Sequence, residues 1–290
     1  MLRFDDKVAI VTGAGHGLGR SHALLLAERG ARVVVNDLGG ALDGTGASTG
    51  PATEVAELIK KNGGEAVANT DNVATPEGAR AIVQTALDSF GRVDIVVNNA
   101  GILRDKSFGK MTAEEFDAVI AVHVRGSFLV TQAAYPHLKQ QGYGRIVNTS
   151  SPAGLFGNFG QANYSTAKMG LVGLTKTLAI EGARNGIKAN AIAPIAWTRM
   201  TESLLPAEFE AKFTPERVSA LVAYLCHDTC EASGEVFSVG GGRVARVFVA
   251  EGPGWKSDSI DPEGIAANWE AIMAEQPYVL TAQDSMKAML

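Results

Sequence analysis

The sequence predicts an α/β fold with a doubly wound, seven-stranded parallel sheet and helices on both faces. Short apolar runs of strand length alternate with longer segments of helical periodicity from Lys7 to Val239. Glycine-rich or polar clusters directly follow several of these apolar runs. Strands that alternate with helices form parallel sheets, whose ligands bind at the carboxyl ends of the strands. We therefore expect these clusters to share one edge of the sheet.

Each predicted strand is a short apolar run bounded by glycine, proline or a polar residue. The first strand runs into the glycine cluster Thr12–Gly19, the second ends in Asp37, and the fifth ends in Ser150-Ser151. In chain order the seven strands are predicted at 7–12, 31–36, 65–70, 93–98, 144–149, 188–192 and 236–239.

Each predicted helix has apolar residues at helical spacing and a recognisable start or stop. Gly30, Gly63 and Gly91 are plausible stops, and Thr112 with Glu115 forms a capping box. The helices are predicted at 20–29, 51–62, 76–90, from Thr112 toward Leu138, across Tyr164 toward Arg184, and at 215–227.

Length and composition predict one large domain. The chain has 290 residues, of which 46% are hydrophobic and 20% charged, as in ordinary globular proteins. We expect a single domain over 1–250 and a helical extension over 251–290. Four apolar residues of the extension share a helix face, so this helix must pack on something: its own domain, a partner subunit or the region near the substrate mouth. They are Ile265, Trp269, Ile272 and Met273.

Charge and cysteine content exclude several functional classes. The net charge of −5 gives no general attraction to nucleic acid, and no apolar run is long enough to span a bilayer. Two cysteines cannot make a disulfide framework, which indicates a reducing compartment. Cys226 and Cys230 have no second pair to complete a metal site. We expect a cytoplasmic protein without a metal.

The stretch from the first strand to Asp37 has the order of a dinucleotide-binding unit: strand, glycine turn, helix, strand and acid. Glycines allow close approach to a pyrophosphate, and the helix N-terminus offers free N–H groups to it. Asp37 could accept hydrogen bonds from ribose hydroxyls and would repel a 2′-phosphate, which favours NAD over NADP. The cofactor-binding candidates here are Gly13, Gly15, His16, Gly17, Leu18, Gly19 and Asp37.

Two further strand ends carry cofactor candidates. Asp71 could accept a hydrogen bond from an adenine amino group, although a turn-forming Asp is an equal alternative. The fourth strand continues into Asn99, Ala100 and Gly101, whose small size would let a flat ring lie against the backbone.

Ser151, Tyr164 and Lys168 are the candidate catalytic residues. Tyr164 and Lys168 lie at i and i+4, so a helix places them on one face. A nearby ammonium favours the phenolate and lowers its pKa, and such a Tyr can exchange a proton with an alcohol or carbonyl oxygen. Ser151 could hold that same oxygen. The pair alone is a common surface coincidence, but its position after the fifth strand favours a catalytic role.

These motifs together resemble the short-chain dehydrogenase/reductase family over roughly residues 5 to 243. The resemblance is carried by Thr12–Gly19, Asn98–Gly101, Ser151 and the Tyr164–Lys168 pair. It implies a Rossmann-like fold, Tyr164 as the acid–base residue, Lys168 as the group that lowers its pKa, and Ser151 on the substrate oxygen. It also implies cofactor contacts at Asn72, Val73, Pro194, Ile195, Thr198, Tyr164 and Lys168.

The chain departs from the family pattern at two places. His123 stands where the family has an Asn that helps to hold a water next to the Lys. A neutral His could hold that water, which makes His123 a candidate relay residue, and a His packed between helices is the alternative. Pro194-Ile195 replaces the family's Pro-Gly, and Thr198 lies one residue early.

Four segments are similar to the (3R)-hydroxyacyl-CoA dehydrogenases of that family. They are Val34–Gly40, Gly101–Phe108, Val122–Phe128 and Gly157–Tyr164. The resemblance implies an NAD-dependent homodimer or homotetramer that interconverts 3-hydroxyacyl-CoA and 3-oxoacyl-CoA. A hydroxysteroid or steroid side-chain dehydrogenase is an alternative, and a non-catalytic NAD-binding sensor is another.

Two segments could contact the substrate. The apolar, irregular stretch 198–213 includes Met200, Leu204, Leu205, Phe209 and Phe213 and could either cover the core or close over an acyl chain. The basic group of Arg104, Lys106 and Lys110 could be a solvated face or could meet CoA phosphates.

Overall fold

A parallel sheet with helices on both faces forms the centre of the protein. The computed structural model describes residues 1–202 and 206–275. Within them the sheet has eight strands in the order β3-β2-β1-β4-β5-β6-β7-β8. The strands are β1 (Val8–Thr12), β2 (Arg32–Asn36), β3 (Glu65–Asn69), β4 (Ile95–Asn98), β5 (Gly144–Thr149), β6 (Ile187–Pro194), β7 (Val236–Gly240) and β8 (Arg243–Val247).

The order of the strands creates a crevice at the centre of the sheet. β1 pairs in parallel with β2 on one side and with β4 on the other, so the chain winds outward in both directions from β1. Ligands of open parallel sheets bind where the strand order reverses, at the carboxyl ends. Thr12 and Asn98 end the two central strands at this point.

The prediction of seven strands is wrong by one. After β7 the chain turns at Gly241 and Gly242, which have φ of 58° and 85°, and returns as β8. A two-residue connection forms an antiparallel hairpin, whereas a parallel neighbour needs a long crossover. The β8 residues are exposed or half-buried and carry two arginines, so the segment lacks the apolar run that identified the other strands.

The helices follow the predicted order, with two local differences. They are α1 (Gly17–Glu28), α2 (Gly50–Lys61), α3 (Pro76–Phe90), α4 (Ala113–Ile120), α5 (Gly126–Gln141), α6 (Pro152–Phe156), α7 (Ala162–Gly182), α8 (Pro215–Cys226), α9 (Pro262–Ala267) and α10 (Trp269–Ile272). The helix predicted from Thr112 is interrupted by a π-helical turn at Ala121–Arg125. The short α6 directly after Ser151 was not predicted.

Apolar residues on both faces of the sheet confirm the doubly wound arrangement. Ala9 and Val11 of β1 pack in a core with residues of α1, α2 and α8. Val8 and Ile10 face the other side and pack with residues of α3 and α5. Because successive strand residues point to opposite faces, a strand covered on both sides must be apolar throughout.

The chain divides into two compact units, residues 1–246 and 247–290. The second unit contains α9, which begins at an Asp261 cap, and α10. Residues 276–290 of the predicted extension lie outside the described residues. The boundary at residue 250 and the packing of the extension stay predictions. No helix of the described chain is long and apolar enough to cross a bilayer.

Candidate active site

The carboxyl ends of the strands surround a cavity of about 440 Å³. The glycine turn, the ends of β2, β4, β5 and β6, and α7 all contribute to its wall. Of the residues predicted for the site, the cavity is lined by Gly13, His16, Gly17, Leu18, Asp37, Asp71, Asn72, Val73, Asn99, Ala100, Gly101, His123, Ser151, Tyr164, Lys168, Pro194 and Thr198.

Three predicted cofactor residues are not part of this lining. Gly15 donates its backbone N–H to Asp37 Oδ2 at 2.8 Å, and Gly19 packs against the carbonyl of Gly13. Ile195 donates its N–H to the Val239 carbonyl at 2.9 Å and is 40% exposed. The two glycines therefore shape the turn, and the Ile195 side chain lies outside the cavity.

The turn between β1 and α1 is built to approach an anionic group. Gly13 has φ of 62°, and a Cβ there would lie 2.7 Å from the Cα of Ala100, so only glycine fits. α1 begins after His16, whose side chain makes no capping hydrogen bond. The backbone N–H groups of the first helical turn therefore lack a capping side chain as hydrogen-bond acceptor, and this end of the helix carries partial positive charge. The turn fits a pyrophosphate.

Asp37 lies at the end of β2 in the cavity wall. Its Oδ2 accepts the N–H of Gly15 at 2.8 Å and its Oδ1 accepts the N–H of Gly39 at 2.7 Å. These bonds fix the carboxylate between the glycine turn and the following loop. A fixed carboxylate at this position fits the hydroxyls of a ribose.

Thr12 and Asn99 join the ends of the two central strands. The Thr12 hydroxyl accepts the N–H groups of Asn99 and Ala100 at 3.0 and 3.1 Å. In return, Asn99 Nδ2 donates to the carbonyls of Thr12 and Gly13 at 3.0 and 3.1 Å. The glycine turn and the β4 end therefore form one rigid surface under the cavity.

Ser151, Tyr164 and Lys168 meet in this cavity, as the sequence predicts. Ser151 caps α6 and accepts the N–H of Ala153 at 3.2 Å. Lys168 Nζ lies 5.3 Å from the centroid of the Tyr164 ring and donates to the Thr149 carbonyl at 2.6 Å. Lys168 is only 3% exposed. The arrangement places a phenol, a hydroxyl and an amine around one space.

Burial sets the pKa values of this group. It raises the pKa of Tyr164 to about 12, an effect that the Ser151 hydroxyl partly offsets by hydrogen bonding and that the Asp105 charge increases. Burial also lowers the pKa of Lys168 to about 7. The expected lowering of the Tyr164 pKa is therefore not found. Loss of water around the phenol is the largest effect on this pKa.

His123 lies in the π-helical turn and is 1% exposed. Its Nε2 lies 3.0 Å from the N of Ile102 and 2.9 Å from its O, while its buried Nδ1 has no partner. Its ring packs edge-on against Tyr164, with centroids 5.3 Å apart. Burial and the Lys168 charge hold its pKa well below the usual value, so the ring is neutral.

Gly101 makes room for His123. A Cβ on Gly101 would collide with the imidazole carbon Cε1. The predicted reason for a small residue here was contact with a cofactor ring, and the structure adds this second reason. Because Nε2 can bond either the N–H or the carbonyl of Ile102, Nδ1 can present a donor or a lone pair.

A strap formed by residues 38–49 connects β2 to α2. Leu103 donates its N–H to the Leu42 carbonyl at 2.9 Å, and Arg104 Nε donates to the Asp43 carbonyl at 2.9 Å. Gly44 packs against Ile102. The strap therefore joins the Asp37 side of the cavity to the segment after Gly101, and five of its residues line the cavity: Leu38, Gly40, Ala41, Leu42 and Gly44.

The apolar segment after β6 contributes Thr198, Met200 and Thr201 to the cavity wall. Phe209 and Phe213 pack edge-on with centroids 5.9 Å apart and do not line the cavity. Leu204 and Leu205, for which a place in the core and a contact with an acyl chain were both open, lie outside the described residues.

Sequence reasoning missed several other residues in or next to the cavity. Arg199 also lines the cavity, and its charge helps to lower the pKa of His16, after burial. Asn163, next to Tyr164, is fully buried and donates Nδ2 to the carbonyls of Arg104 and Glu115 at 2.8 and 3.2 Å. An amide directly before Tyr164 is a weak signal, because only the fold shows what it contacts.

No group of three or more metal-ligating side chains occurs among the described residues. Cys226 and Cys230 are both buried and free.

Comparison with known proteins gives consistent matches. A family model described as short chain dehydrogenase matches residues 7–208. The peroxisomal multifunctional enzyme type 2 of Mus musculus is 51% identical over 275 residues, which are 93% of this chain and 37% of that enzyme. A hydroxyacyl-CoA dehydrogenase of Mycobacterium tuberculosis is 40% identical over 274 residues, 87% of this chain and 85% of the relative.

The structural comparison agrees. The solved full-length peroxisomal multifunctional enzyme type 2 of Drosophila melanogaster superposes with a TM-score of 0.83 and 39% identity. The match covers 99% of this chain and 49% of that structure. The chain thus spans roughly a third to a half of the two multifunctional relatives.

Proposed function

Because the chain belongs to the short-chain dehydrogenase/reductase family, we propose that it oxidises a 3-hydroxyacyl-CoA to the 3-oxoacyl-CoA, reversibly, with NAD as cofactor. The observation that carries the proposal is the meeting of Ser151, Tyr164 and Lys168 at the cavity whose other end is the glycine turn and Asp37. The hydroxyacyl-CoA dehydrogenase named among the relatives supports the substrate class.

Ser151, Tyr164 and Lys168 each have a separate role in the proposed reaction. The Ser151 hydroxyl holds the 3-oxygen of the substrate, and Tyr164 exchanges a proton with that oxygen. Lys168 supplies positive charge beside the phenol, which stabilises the phenolate. Bound NAD supplies the hydride acceptor for the substrate carbon.

The neutral His123 completes the site as a relay or positioning residue. Its unpartnered Nδ1 is buried near Lys168, whose charge contributes to its lowered pKa. A water held there could exchange protons with Lys168, and the two possible hydrogen bonds of Nε2 let Nδ1 serve as donor or acceptor. In this role His123 helps to restore the protonation state of the Tyr164 phenol between turnovers.

The proposal of NAD rather than NADP rests on Asp37. Both of its carboxylate oxygens are fixed by backbone N–H groups at the ribose end of the cavity. A phosphate on the ribose would meet this negative charge at short range, where the repulsion is costly. None of residues 38–41 is a Lys or Arg that could neutralise it.

We also propose a cytoplasmic homodimer or homotetramer with a catalytic domain over residues 1–250. The buried, free Cys226 and Cys230 support a reducing compartment.

Formation of NADH from a 3-hydroxyacyl-CoA tests the activity. We expect turnover by the parent protein and a loss of at least about 10²-fold in kcat for Tyr164→Phe, with NAD binding retained. Binding of NAD without turnover across a panel of hydroxyacyl-CoA, hydroxysteroid and simple alcohol substrates would instead indicate a non-catalytic NAD sensor.

Asp37→Ala tests the cofactor. We expect the ratio of kcat/KM with NAD to that with NADP to fall by about tenfold or more, because the variant removes the charge that opposes the 2′-phosphate. A parent protein that already prefers NADP would show the cofactor assignment to be wrong.

A further inference from the structure

We infer that Arg104, Lys106 and Lys110 form a phosphate-binding track that recognises the CoA part of the substrate. The inference rests on the proposed function, since it concerns the same thioester. The three cations follow one another along the segment that leaves the cavity after Gly101. A thioester seated at Tyr164 has its phosphates at a distance from the reacting carbon, so their binding site must lie outside the catalytic group.

Arg104 is the inner end of the track and is held in place. It lines the cavity and is half-buried. Its Nε donates to the Asp43 carbonyl of the strap at 2.9 Å, and its own carbonyl accepts Asn163 Nδ2 at 2.8 Å. A guanidinium carries further N–H donors beyond Nε, and their planar geometry suits a phosphate. The strap therefore presents a pre-oriented cation at the cavity rim.

Lys106 is tied to the catalytic helix. Its N–H donates to the Gly160 carbonyl at 2.9 Å, and the residue forms a β-bridge with Gln161, directly before α7. Tyr164 lies in the first turn of that helix. The position of Lys106 relative to the reacting oxygen is thus fixed by backbone contacts, while its side chain is exposed.

Lys110 is the outer end of the track. A tight turn fixes its backbone, because its N–H donates to the Ser107 carbonyl at 2.8 Å. Between the two lysines lies Phe108, which is 84% exposed. An exposed aromatic ring between two cations can pack on the pantetheine arm or stack on an adenine while the cations meet phosphates.

Most of the nearby acidic side chains are engaged in hydrogen bonds of their own. Asp43, next to Arg104, accepts the N–H and the hydroxyl of Thr45 at 2.9 and 2.7 Å. Asp105 accepts Gln161 Nε2 at 2.7 Å, and Glu115 accepts the N–H of Thr112 at 3.0 Å in the capping box of α4. Glu114 is exposed in the same turn. Among the ion pairs found in the described chain, none involves Arg104, Lys106 or Lys110. The track retains its positive charge in an acidic protein.

The test compares two thioesters of the same 3-hydroxyacyl group, one on CoA and one on pantetheine, which lacks the phosphates. For each, kcat/KM is measured by NADH formation at low and at raised NaCl. The variant is the pair Lys106→Glu and Lys110→Glu. The matched control is Lys61→Glu, an exposed lysine at the C-terminal end of α2, on the opposite edge of the sheet.

We expect the double variant to lower the ratio of kcat/KM for the CoA thioester to that for the pantetheine thioester by about tenfold at low salt. The effect should shrink at raised NaCl, and Lys61→Glu should leave the ratio within about twofold. Arg104→Gln should weaken the binding of free CoA, measured by calorimetry.

An unchanged ratio at low salt, in an active double variant, overturns the track and leaves the dehydrogenase proposal standing. A parent protein that oxidises neither thioester overturns both. The 3′-dephospho form of the CoA thioester locates the contact: loss of the variant's effect assigns the lysines to the 3′-phosphate, and a retained effect assigns them to the pyrophosphate.

Discussion

Lys168 shows at the scale of one residue how function and stability oppose each other. It is an amine buried to 3% exposure, and the described structure gives it one hydrogen bond, to the Thr149 carbonyl at 2.6 Å. Burial lowers its pKa to about 7. A buried, incompletely solvated cation destabilises a fold, and such groups are kept where chemistry requires them.

Lys168→Met should therefore lower kcat by at least about 10²-fold while the free energy of unfolding at pH 6 rises. The unfolded amine has a pKa of about 10.5, so the folded protein binds fewer protons between pH 7 and 10. The destabilising effect of Lys168 is thus full below pH 7 and decreases as the pH rises. The stability difference between variant and parent, measured by urea unfolding, should be largest at pH 6 and shrink toward pH 9.

A variant that is less stable than the parent at pH 6 would show that Lys168 contributes packing and hydrogen bonding that outweigh its desolvation.

α1 links two parts of the site at the scale of the element. Its N-terminus forms the glycine turn, and its next turn is fixed to α8 by buried hydrogen bonds. His22 Nδ1 lies 2.7 Å from the Ser219 hydroxyl, which donates to the Ser21 hydroxyl at 2.7 Å. α8 in turn follows the apolar segment that contributes Met200 to the cavity. Burial lowers the pKa of His22 to about 3.

His22 should make the fold sensitive to acid. Because its pKa is about 3 in the folded chain and near 6.5 when unfolded, unfolding takes up a proton between these values. The stability that the buried, neutral His22 contributes is present above pH 6.5 and is lost as the pH falls toward 3. In His22→Asn, whose amide can still bond Ser219, the slope of unfolding free energy between pH 6 and 4 should decrease by up to about 1.4 kcal/mol per pH unit.

His137→Asn, a change of a half-buried histidine on α5, is the control for the loss of one imidazole. His123 titrates in the same direction, so the slope should decrease without vanishing. Equal slopes in parent and His22→Asn would contradict the role assigned to burial.

At the scale of the whole molecule, α5 and α7 present large apolar side chains outward. Phe128 on α5 is 43% exposed, and Met169 and Ile180 on α7 are 41% and 78% exposed. The two helices pack on the same face of the sheet. Large apolar side chains exposed on helices of one face are typical of a subunit interface.

Ile180→Glu should therefore shift the protein toward a smaller species in sedimentation velocity, because an unpaired carboxylate would be buried at the interface. Lys61→Glu, on the opposite side of the sheet, should leave the mass unchanged. A parent protein that sediments as a monomer at micromolar concentration would show that this face serves another purpose.

The features that could be predicted were those with a local signature. The seven apolar strands, the glycine turn after Thr12 and the spacing of Tyr164 and Lys168 each depend on neighbouring residues. The eighth strand has no apolar run, and the π-helical turn that carries His123 is indistinguishable from α-helix by periodicity. Both therefore escaped prediction.

By itself the sequence determined the parallel sheet, the family and the residues gathered at the carboxyl edge of the sheet. The periodicity of apolar residues and the spacing of glycines are both local patterns that can be recognised without the structure. Only the tertiary structure decided that the strap reaches Arg104, since Asp43 and Arg104 lie 61 residues apart and meet through the order of the strands. It also decided the pKa values. The sequence places an amine beside Tyr164, but how far each group is removed from water depends on everything packed around it, and burial raised the pKa that proximity alone would have lowered.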